Sequence, residues 1–265
     1  MTSESGPGEA FAEERQHHIG RLVAERGRVR VGDLVERFGV SGVTIRKDLA
    51  ELERQGRVVR THGGAVSPAG AGMERAFDVR ERLQRAEKDA IGRAAAAMVT
   101  DGESIALDAS TTAYAMARHL RARRDWLHLT VITNGLRIAI ELAGAPGVSV
   151  LMPGGFVRPE ALSLVGPMGE GLLARVNVQR AFLGATGFSV EAGLCDGTEE
   201  EAQIKRLLVT AASETIGLVD RTKWSRTSLA TFCPTTSLSA VVTDGPAPVE
   251  MAGALQAAGV RVIEA

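Results

Sequence analysis

The stretch between residues 31 and 65 constrains the fold of this chain more than any other part of it. Its apolar residues recur every three or four positions, in two runs that are each long enough for one short helix. The first run consists of Leu34, Val35 and Phe38, and the second of Ile45, Leu49 and Leu52. Between the runs lie Gly39, which suits a left-handed helix end, and Ser41, which is placed to cap the second helix. The pattern predicts two helices joined by a tight turn.

The second predicted helix is basic on the face opposite its apolar stripe. That face carries Val43, Arg46, Lys47, Ala50 and Arg54. Two helices joined by a glycine-containing turn, with a basic free face on the second, are typical of a helix-turn-helix that reads DNA. An ordinary solvated hairpin of helices gives a similar pattern, so the residues that follow decide between the two interpretations.

A short hairpin is predicted directly after this helix. Gly56 is expected to end the helix, residues 57–60 alternate like a strand, and residues 61–64 turn the chain. Such a hairpin is the wing of a winged helix, whose tip lies along the DNA backbone or in the minor groove. A helix over residues 14–26 and a short strand around Val29 and Val31, pairing with the wing, complete the predicted domain.

These residues resemble the DeoR family of bacterial transcription regulators. The likeness rests on Val40, Ser41, residues 44–49, Leu52, Glu53, Gly56 and residues 60–65. The resemblance implies that the partner is double-stranded operator DNA. Taken with the basic face, it predicts DNA contacts from Ser41, Val43, Thr44, Arg46, Lys47, Arg54, Arg60 and His62.

The distribution of charge indicates a chain of two parts. The net charge is −1 overall, but residues 14–66 carry eleven Arg/Lys against seven Asp/Glu, a net charge of +4, and the remainder carries −5. A basic module joined to an acidic one suits attraction to the phosphate backbone at one end only. We expect a disordered tail at residues 1–12, the winged helix-turn-helix at 13–68, a linker at 69–86 and a larger domain at 87–265.

Two kinds of segment are missing from the sequence. No run of about 18 apolar residues occurs, and no signal-peptide pattern is present. We therefore expect no membrane contact and a bacterial cytoplasmic location, associated with the nucleoid when bound to DNA. Cys195 and Cys233 lack metal-ligand spacing, so we expect two ordinary thiols, no metal and no cofactor.

Helix-like and strand-like segments alternate from residue 88 onward. Strands are predicted at residues 104–107, 129–132, 148–152, 181–184, 215–219, 240–243 and 260–263. Strands separated by helices of about ten residues indicate an α/β layer fold with a mainly parallel sheet. The predicted fold is therefore an α+β winged helix-turn-helix followed by a larger α/β domain.

Ligands of open α/β sheets bind beyond the carboxyl ends of the strands, and here those ends are small and polar. Residues 110–112 would lie where a helix begins, so N–H groups, hydroxyls and the helix dipole converge there on an anion such as a phosphate; the same residues also serve as simple caps. Asp108 is better suited to accept hydrogen bonds from sugar hydroxyls. Lys205 and Lys223, the only lysines after Lys88, would supply positive charge.

The larger part also resembles the DeoR-family sensor domain, which is related in fold to ribose-phosphate isomerases. The likeness rests on residues 107–108, 111–112, 133–134, 154–155, Gly166, residues 182–184, Gly187, Lys205, Asp220 and Lys223. It implies a phosphorylated sugar as effector, with predicted contacts from Asp108, Ser110, Thr111, Thr112, Asn134, Gly155, Gly184, Lys205 and Lys223. Ser110 departs from the family's common form, which has glycine at that position.

Three functions fit these patterns. The first is a repressor of carbohydrate metabolism genes whose operator affinity changes when a phosphorylated sugar binds. The second is a sugar-phosphate isomerase with an attached DNA-binding domain. The third is a DNA-binding protein whose second domain only assembles oligomers.

The absence of an obvious general base favours binding without turnover. Isomerisation needs a base beside the substrate carbon. The isomerases that this domain resembles carry a glutamate directly before the helix lysine, where this chain has Ile204. Thr198 and Glu201 are predicted to form a capping box, and Glu201 is predicted to pair with Lys205. Because one winged module covers little DNA, we also expect a homo-oligomer, a dimer or tetramer, that reads two half-sites.

Overall fold

A computed structural model describes residues 7–55, 57–61, 63–66 and 76–265. The chain divides into two compact units, residues 1–75 and residues 76–265. Residues 1–6, which are half of the predicted tail, lie outside the described residues, as do Gly56, His62 and residues 67–75. With them lie the predicted end of the second helix of the motif, one predicted DNA contact and part of the predicted linker. Among the described residues, no helix is long and apolar enough to cross a membrane.

The first unit packs helices against a small antiparallel sheet. Its described elements are helix α1 (Pro7–Arg26), strand β1 (Arg28–Arg30), helices α2 (Val31–Phe38) and α3 (Gly42–Arg54), and strands β2 (Val59–Thr61) and β3 (Gly64–Val66). Strand β3 lies between β1 and β2 and is antiparallel to both. The predicted pairing of the first strand with the wing is therefore confirmed, and the unit is a winged helix-turn-helix.

Helix α1 begins earlier than the sequence predicts. It starts at Pro7, so the expectation of a disordered tail over residues 1–12 is wrong from Pro7 onward. Alanine and glutamate, which recur from residue 9 to residue 14, are strong helix formers. Proline is well tolerated in the first turn of a helix, because the N–H that it lacks has no partner inside the helix there. A charged, small-residue composition therefore fits a solvated first turn of a helix as well as a tail.

The turn between α2 and α3 forms as predicted. Gly39 ends α2 with φ of +63°, and its N–H donates to the Val35 carbonyl at 2.9 Å. Ser41 begins α3 because its Oγ accepts from the Thr44 N–H at 3.2 Å. The inward faces of α1, α2 and α3 meet in one apolar core, whose fully buried members include Ile19, Val23, Leu34, Ile45, Leu49 and Leu52.

The second unit alternates helices and strands. In chain order they are α4 (Phe77–Arg82), α5 (Arg85–Ala97), β4 (Ser104–Leu107), α6 (Thr111–Ala122), β5 (Leu129–Thr133), α7 (Leu136–Leu142), β6 (Val148–Leu151), β7 (Phe156–Arg158), β8 (Ser163–Val165), α8 (Pro167–Leu173), β9 (Val178–Gly184), β10 (Gly187–Ser189), β11 (Gly193–Asp196), α9 (Glu199–Ala211), β12 (Ala212–Leu218), β13 (Ala230–Cys233), β14 (Ala240–Thr243), α10 (Val249–Ala257) and β15 (Arg261–Glu264).

Seven of these strands form one parallel sheet in the order β15-β14-β12-β9-β4-β5-β6. The chain builds outward from β4 through β5 and β6, then returns to place β9 on the other side of β4. The order therefore reverses between β4 and β9, and the carboxyl ends of these two strands border the crevice where ligands of such sheets bind. All seven strands were predicted, and the expectation of a mainly parallel sheet is confirmed.

The core of the second unit lies on both faces of this sheet. Alternate residues of β4 show the division, because Ile105 and Leu107 join one apolar cluster and Ala106 joins the other. Helices α5, α6 and α7 cover the first face, and α9 and α10 cover the second. Both cysteines are buried, free thiols.

Five short strands were not predicted. Strands β7 and β8 form a hairpin, and β10, β11 and β13 form a small antiparallel sheet. Each is three or four residues long, which is too short for a clear alternation of apolar and polar residues. Strands β7, β8 and β11 carry Arg158, Ser163 and Asp196, whose side chains contact residues of helix α9.

Candidate functional site

Helix α3 presents a basic, exposed face. Val43 is 73% exposed and both Arg46 and Lys47 are exposed, whereas Ile45 and Leu49 are buried against the other helices. The side chains of Ser41 and Thr44 are engaged with each other, with 2.9 Å between their hydroxyl oxygens. The predicted DNA contacts on this helix therefore include three exposed side chains, those of Val43, Arg46 and Lys47.

The two remaining predicted arginines already have acidic neighbours. Arg54 Nη2 lies 2.5 Å from Glu51 Oε1. Its hydrogen bond, followed by one from Gln55, lowers the pKa of Glu51 to about 2. Arg60 Nη1 lies 3.8 Å from Glu53 Oε2, and the Arg60 N–H donates to Glu53 Oε1 at 2.9 Å. The Arg60–Glu53 pair joins the end of α3 to the start of the wing, whereas the Arg54–Glu51 pair lies within α3. Both arginines remain exposed.

Asp48 fixes how α3 is held, although the sequence analysis gave it no role. Its carboxylate is 3% exposed and accepts from Arg15 Nε at 2.6 Å, Arg15 Nη2 at 3.2 Å and Gln16 Nε2 at 3.0 Å. The two donors lie on α1, so the buried ion pair ties α1 to the helix that bears Arg46 and Lys47. A signal was present in the sequence, because Asp48 falls on the same helical face as Ile45 and Leu52.

In the second unit, Lys205 occupies the crevice between β4 and β9. Its ammonium lies 2.7 Å from Asp108 Oδ2 and 2.5 Å from Asp196 Oδ2, and it donates to the Gly184 carbonyl at 2.9 Å. All three groups are buried. Burial disfavours the charged ammonium, but the carboxylates of Asp108 and Asp196 outweigh it and raise the pKa of Lys205. Burial also opposes ionisation of Asp196, yet Lys205 outweighs it and lowers the pKa of that carboxyl.

The predicted phosphate loop is built around Asp108. Ser110 caps α6 by accepting from the Ala113 N–H at 3.1 Å, and its Oγ donates to Asp108 Oδ1 at 2.7 Å. The Gly184 N–H donates to the same oxygen at 3.1 Å. A side chain at Gly184 would collide with Ser110, so these two loops approach too closely for any other residue. Thr111 and Thr112 follow in the first turn of α6, and both are buried.

Asn134 and Gly155 lie at the ends of the neighbouring strands. Leu107 and Thr133 are paired in register, so the next residues, Asp108 and Asn134, emerge at the same edge of the sheet. Asn134 is 1% exposed and its Nδ2 donates to the Leu164 carbonyl at 3.2 Å. Its Oδ1 is buried and accepts no hydrogen bond from the described residues. Gly155 has φ of +136°, and a side chain there would collide with the Val165 carbonyl.

Lys223 lies at the end of β12, in the 3-10 turn Arg221–Lys223. Asp220 caps this turn by accepting from the Thr222 N–H at 3.0 Å and from its hydroxyl at 2.5 Å. Lys223 is half-buried. A second lysine, Lys88, is electrostatically coupled to both Asp220 and Lys223. Lys88 was not predicted to belong to the site, because its spacing in the sequence is that of an ordinary helix residue.

The role predicted for Glu201 needs correction. Thr198 caps α9 by accepting from the Glu201 N–H at 3.4 Å, which is one half of the predicted capping box. The Glu201 carboxylate, however, accepts hydrogen bonds from Ser163 and, at 2.8 Å, from Arg158 Nη1. Burial raises the pKa of Glu201. Neither the return hydrogen bond of the box nor the predicted ion pair with Lys205 forms, because β7 and β8 supply nearer donors to Glu201 and two carboxylates hold Lys205.

The fold, the basic face of α3 and the polar crevice of the second unit together define a DNA-binding transcription regulator with an attached sensor domain. The model of the DeoR-like helix-turn-helix domain matches residues 15–70, and the model of the DeoR C-terminal sensor domain matches residues 83–245. The chain belongs to the DeoR family.

Known proteins of similar sequence carry consistent names. The HTH-type transcriptional regulator YulB of Bacillus subtilis is 38% identical over 87% of this chain and 88% of its own length. The HTH-type transcriptional regulator GolR of Listeria innocua is 35% identical over 95% of this chain and 98% of its own. The glycerol-3-phosphate regulon repressor of Escherichia coli is 29% identical over 90% and 93%.

Among solved structures, ribose 5-phosphate isomerase A of Methanocaldococcus jannaschii resembles part of the chain. The superposition has a TM-score of 0.39 and 20% identity, and it covers 52% of this chain and 53% of the isomerase.

Proposed function

We propose that this regulator is a repressor of carbohydrate metabolism genes whose affinity for double-stranded operator DNA changes when a phosphorylated sugar binds in the second unit. The observation that carries the proposal is the buried polar cluster at the reversal point of the sheet, formed by Asp108, Lys205 and Asp196. A structural core gains little from three buried charges, because their desolvation offsets most of their attraction. A repressor of a glycerol-3-phosphate regulon among the relatives supports an effector of this chemical class.

In the proposed complex, the phosphate lies at the first turn of α6, near Ser110, Thr111 and Thr112, and Lys223 supplies positive charge. Free N–H groups at a helix start and the helix dipole both favour an anion there. The sugar hydroxyls face the other end of the crevice, where Asn134 Oδ1 has an unused acceptor. Gly155 and Gly184 allow the segments around the crevice to approach closely, and Lys205 orients Asp108 as an acceptor.

For DNA, we propose that α3 enters the major groove with Val43, Arg46 and Lys47 foremost. Ser41 and Thr44 at its start, Arg54 at its end, and Arg60 and His62 on the wing complete the contacting set. Arginine forms two hydrogen bonds with guanine, lysine neutralises phosphate, and the apolar Val43 suits the methyl group of thymine. The net charge of +4 over residues 14–66 supports this assignment.

We further propose that the regulator works as a homo-oligomer, a dimer or tetramer, and that it does so in the cytoplasm, where it meets the chromosome. One winged module buries too little DNA surface for strong specificity, so two half-sites must be read together. The second unit is the better place for the contact between copies, because the basic face of the first unit must stay free for DNA.

The second unit is proposed to bind its effector without converting it. The carboxylates of the described crevice are all engaged: Asp108 and Asp196 with Lys205, and Glu201 with Arg158 and Ser163. Ile204, which replaces the isomerase glutamate, is buried in the core. The alternative, a sugar-phosphate isomerase with an attached DNA-binding domain, predicts interconversion when the protein is incubated with pentose and hexose phosphates.

The test begins with a DNA site selected by the protein from a random-sequence library. Fluorescence anisotropy on this labelled site, with and without a panel of sugar phosphates, measures the coupling between effector and operator. Couplings in known systems are about 1–3 kcal/mol, and DNA must change effector affinity by the same factor. The double variant Thr111→Ala/Lys223→Ala should bind DNA normally and lose the response. A normal response from this variant would place the effector elsewhere.

A further inference from the structure

Lys88 is a buried lysine whose described hydrogen-bond partners are two backbone carbonyls. It lies in the first turn of α5 and is 7% exposed. Its Nζ donates to the carbonyls of Arg80 at 2.5 Å and Leu83 at 2.6 Å. Within the described residues, no carboxylate oxygen lies within 4 Å of this nitrogen, so the third N–H of the ammonium is available to a further acceptor.

The charges around Lys88 do not compensate for its burial. Burial is the main reason that the pKa of Lys88 is lowered to about 8, and Lys223 and Arg80 lower it further. Asp220 and Glu81 act in the opposite direction. Asp220 is already occupied as the cap of the turn that bears Lys223. The influences that disfavour the charge of Lys88 therefore outweigh those that favour it.

The packing of two helices places Lys88 beside the first turn of α6. Helices α5 and α6 both start at the carboxyl edge of the sheet and lie in close contact, since a Cβ on Gly92 would be 2.6 Å from the Met116 nitrogen. One turn earlier on each helix lie Lys88 on α5 and Thr112 on α6. Because the two helices run in the same direction, this step back brings the backbone of Lys88 to the level of Thr112.

We propose that Lys88, together with Lys223, binds the dianionic phosphate group of a phosphomonoester at the start of α6. The inference rests on the proposed function and adds to it the cation that the sequence did not reveal. Lys205 is not free for this task, because two carboxylates hold its charge. The bound dianion supplies the missing acceptor for the third N–H of Lys88 and favours its charged form.

A purely structural role for Lys88 is the competing explanation. Lys88 holds the last carbonyls of α4, as cations near helix ends commonly do. That role requires donors but not a net charge, whereas binding of a dianion requires the charge. Replacement of Lys88 by arginine, whose pKa lies far above that of lysine, therefore separates the two roles.

The experiment is isothermal titration calorimetry of the full chain with inorganic phosphate as the probe, at pH 7 and pH 9. A group of pKa about 8 is about ten times less protonated at pH 9 than at pH 7. We therefore expect the ratio of wild-type affinity to Lys88→Arg affinity to fall about tenfold from pH 7 to pH 9. The ratio is used because ionisation of phosphate itself affects both proteins equally. Lys88→Met should bind at least tenfold more weakly at pH 7, and Arg93→Met, an exposed control on α5, should bind like the wild type.

Equal phosphate affinity in the wild type and Lys88→Met would overturn the inference, as would a wild-type to arginine ratio that does not change with pH. Because Lys88→Met also loses the α4 contacts, a further measurement uses only wild-type protein: NMR of ¹³C-labelled lysine should show a Lys88 pKa that rises when phosphate is added. A pKa that does not move contradicts the proposal.

Failure of the proposed function has a different signature. If sugar phosphates change operator affinity equally in wild type and Lys88→Met, the effector function stands and the assignment of Lys88 is wrong. If no sugar phosphate changes operator affinity in the wild type while phosphate binding still depends on Lys88, the subsite stands and the proposed function is wrong.

Discussion

Replacement of Lys205 by methionine tests whether the crevice is organised by its buried charges. Methionine has a similar length and no charge, so it fills much of the space and removes only the ammonium. Asp108 and Asp196 then remain buried without their shared cation. A hydrogen-bond acceptor is also left at the Gly184 carbonyl.

The expected loss of stability is large. Breaking a buried ion pair by removing one partner costs about 3–5 kcal/mol, mainly because the remaining charge stays buried and uncompensated. Typical domains unfold with a free energy of about 5–15 kcal/mol, so this loss is a substantial fraction of the total. A matched control is Arg206→Met on the same helix, because the Arg206–Glu199 pair lies at the surface and its loss should change stability little.

The pH dependence should differ between wild type and variant. In the wild type the pKa of Asp196 is lowered, so its contribution to stability is complete above the unfolded value of about 3.9 and is lost only as the pH falls through the folded value. In Lys205→Met, burial without the Lys205 ammonium raises the pKa of Asp196 above the unfolded value. The variant therefore regains stability as the pH falls from neutral toward 5, by roughly 1.4 kcal/mol per proton and pH unit.

The measurement is urea unfolding at pH 7 and pH 5, followed by tryptophan fluorescence. Both tryptophans, Trp126 and Trp224, are buried in the second unit, so the signal reports on that unit alone. We expect the gap between wild type and Lys205→Met to be about 3–5 kcal/mol at pH 7 and smaller at pH 5. The reasoning would be refuted if Lys205→Met lost no more stability than Arg206→Met. It would also be refuted if the difference in free energy of unfolding between wild type and Lys205→Met did not decrease from pH 7 to pH 5.

Three further predictions concern DNA reading and assembly. Arg46→Ala should cost about 1–3 kcal/mol of operator affinity. Lys47→Ala should weaken specific and nonspecific binding alike and flatten the salt dependence. Gel shifts at two salt concentrations measure both effects, and unchanged affinity for both variants would place the DNA-reading face elsewhere. Arg15→Met should destabilise the first unit by about 3–5 kcal/mol, because Asp48 stays buried; amide hydrogen exchange in α3 reports it, and undiminished protection contradicts it. Light scattering on the full chain should show a dimer or larger oligomer at micromolar concentration, and a monomer counts against the proposed half-site reading.

The fold of the first unit could be predicted from the sequence because it depends on local interactions. Gly39 and Ser41 fix the turn through backbone conformation and a side-chain cap, and neither depends on distant residues. The apolar stripe of α3 likewise follows from spacing alone. The partner of Asp48 could not be predicted from spacing, because Arg15 lies 33 residues away and only the packing of α1 brings it near.

Strands of the parallel sheet were predictable for a related reason. The central strands β4 and β14 are short apolar runs buried on both faces, and both begin and end at the predicted residues. The hairpin of β7 and β8 gave no such signal, since it has one half-exposed face and only three residues in each strand. The side-chain partners of Glu201 were therefore predicted wrongly, because Arg158 and Ser163 lie on that hairpin.

The charges of the crevice also explain why its site was only partly predictable. Lys205 and Asp108 were both assigned to an effector, but the structure pairs them with each other and adds Asp196, which leaves this cluster with a net charge of −1. Such a cluster repels a dianion and attracts hydroxyl groups. The proposed position of the phosphate lies instead near Lys88 and Lys223, and the sequence indicated only an ordinary helix around Lys88. A phosphorylated sugar has one dianionic end and one hydroxyl-bearing end, so the proposed complex has its phosphate near Lys88 and Lys223 and its hydroxyl groups toward the cluster of Asp108, Lys205 and Asp196.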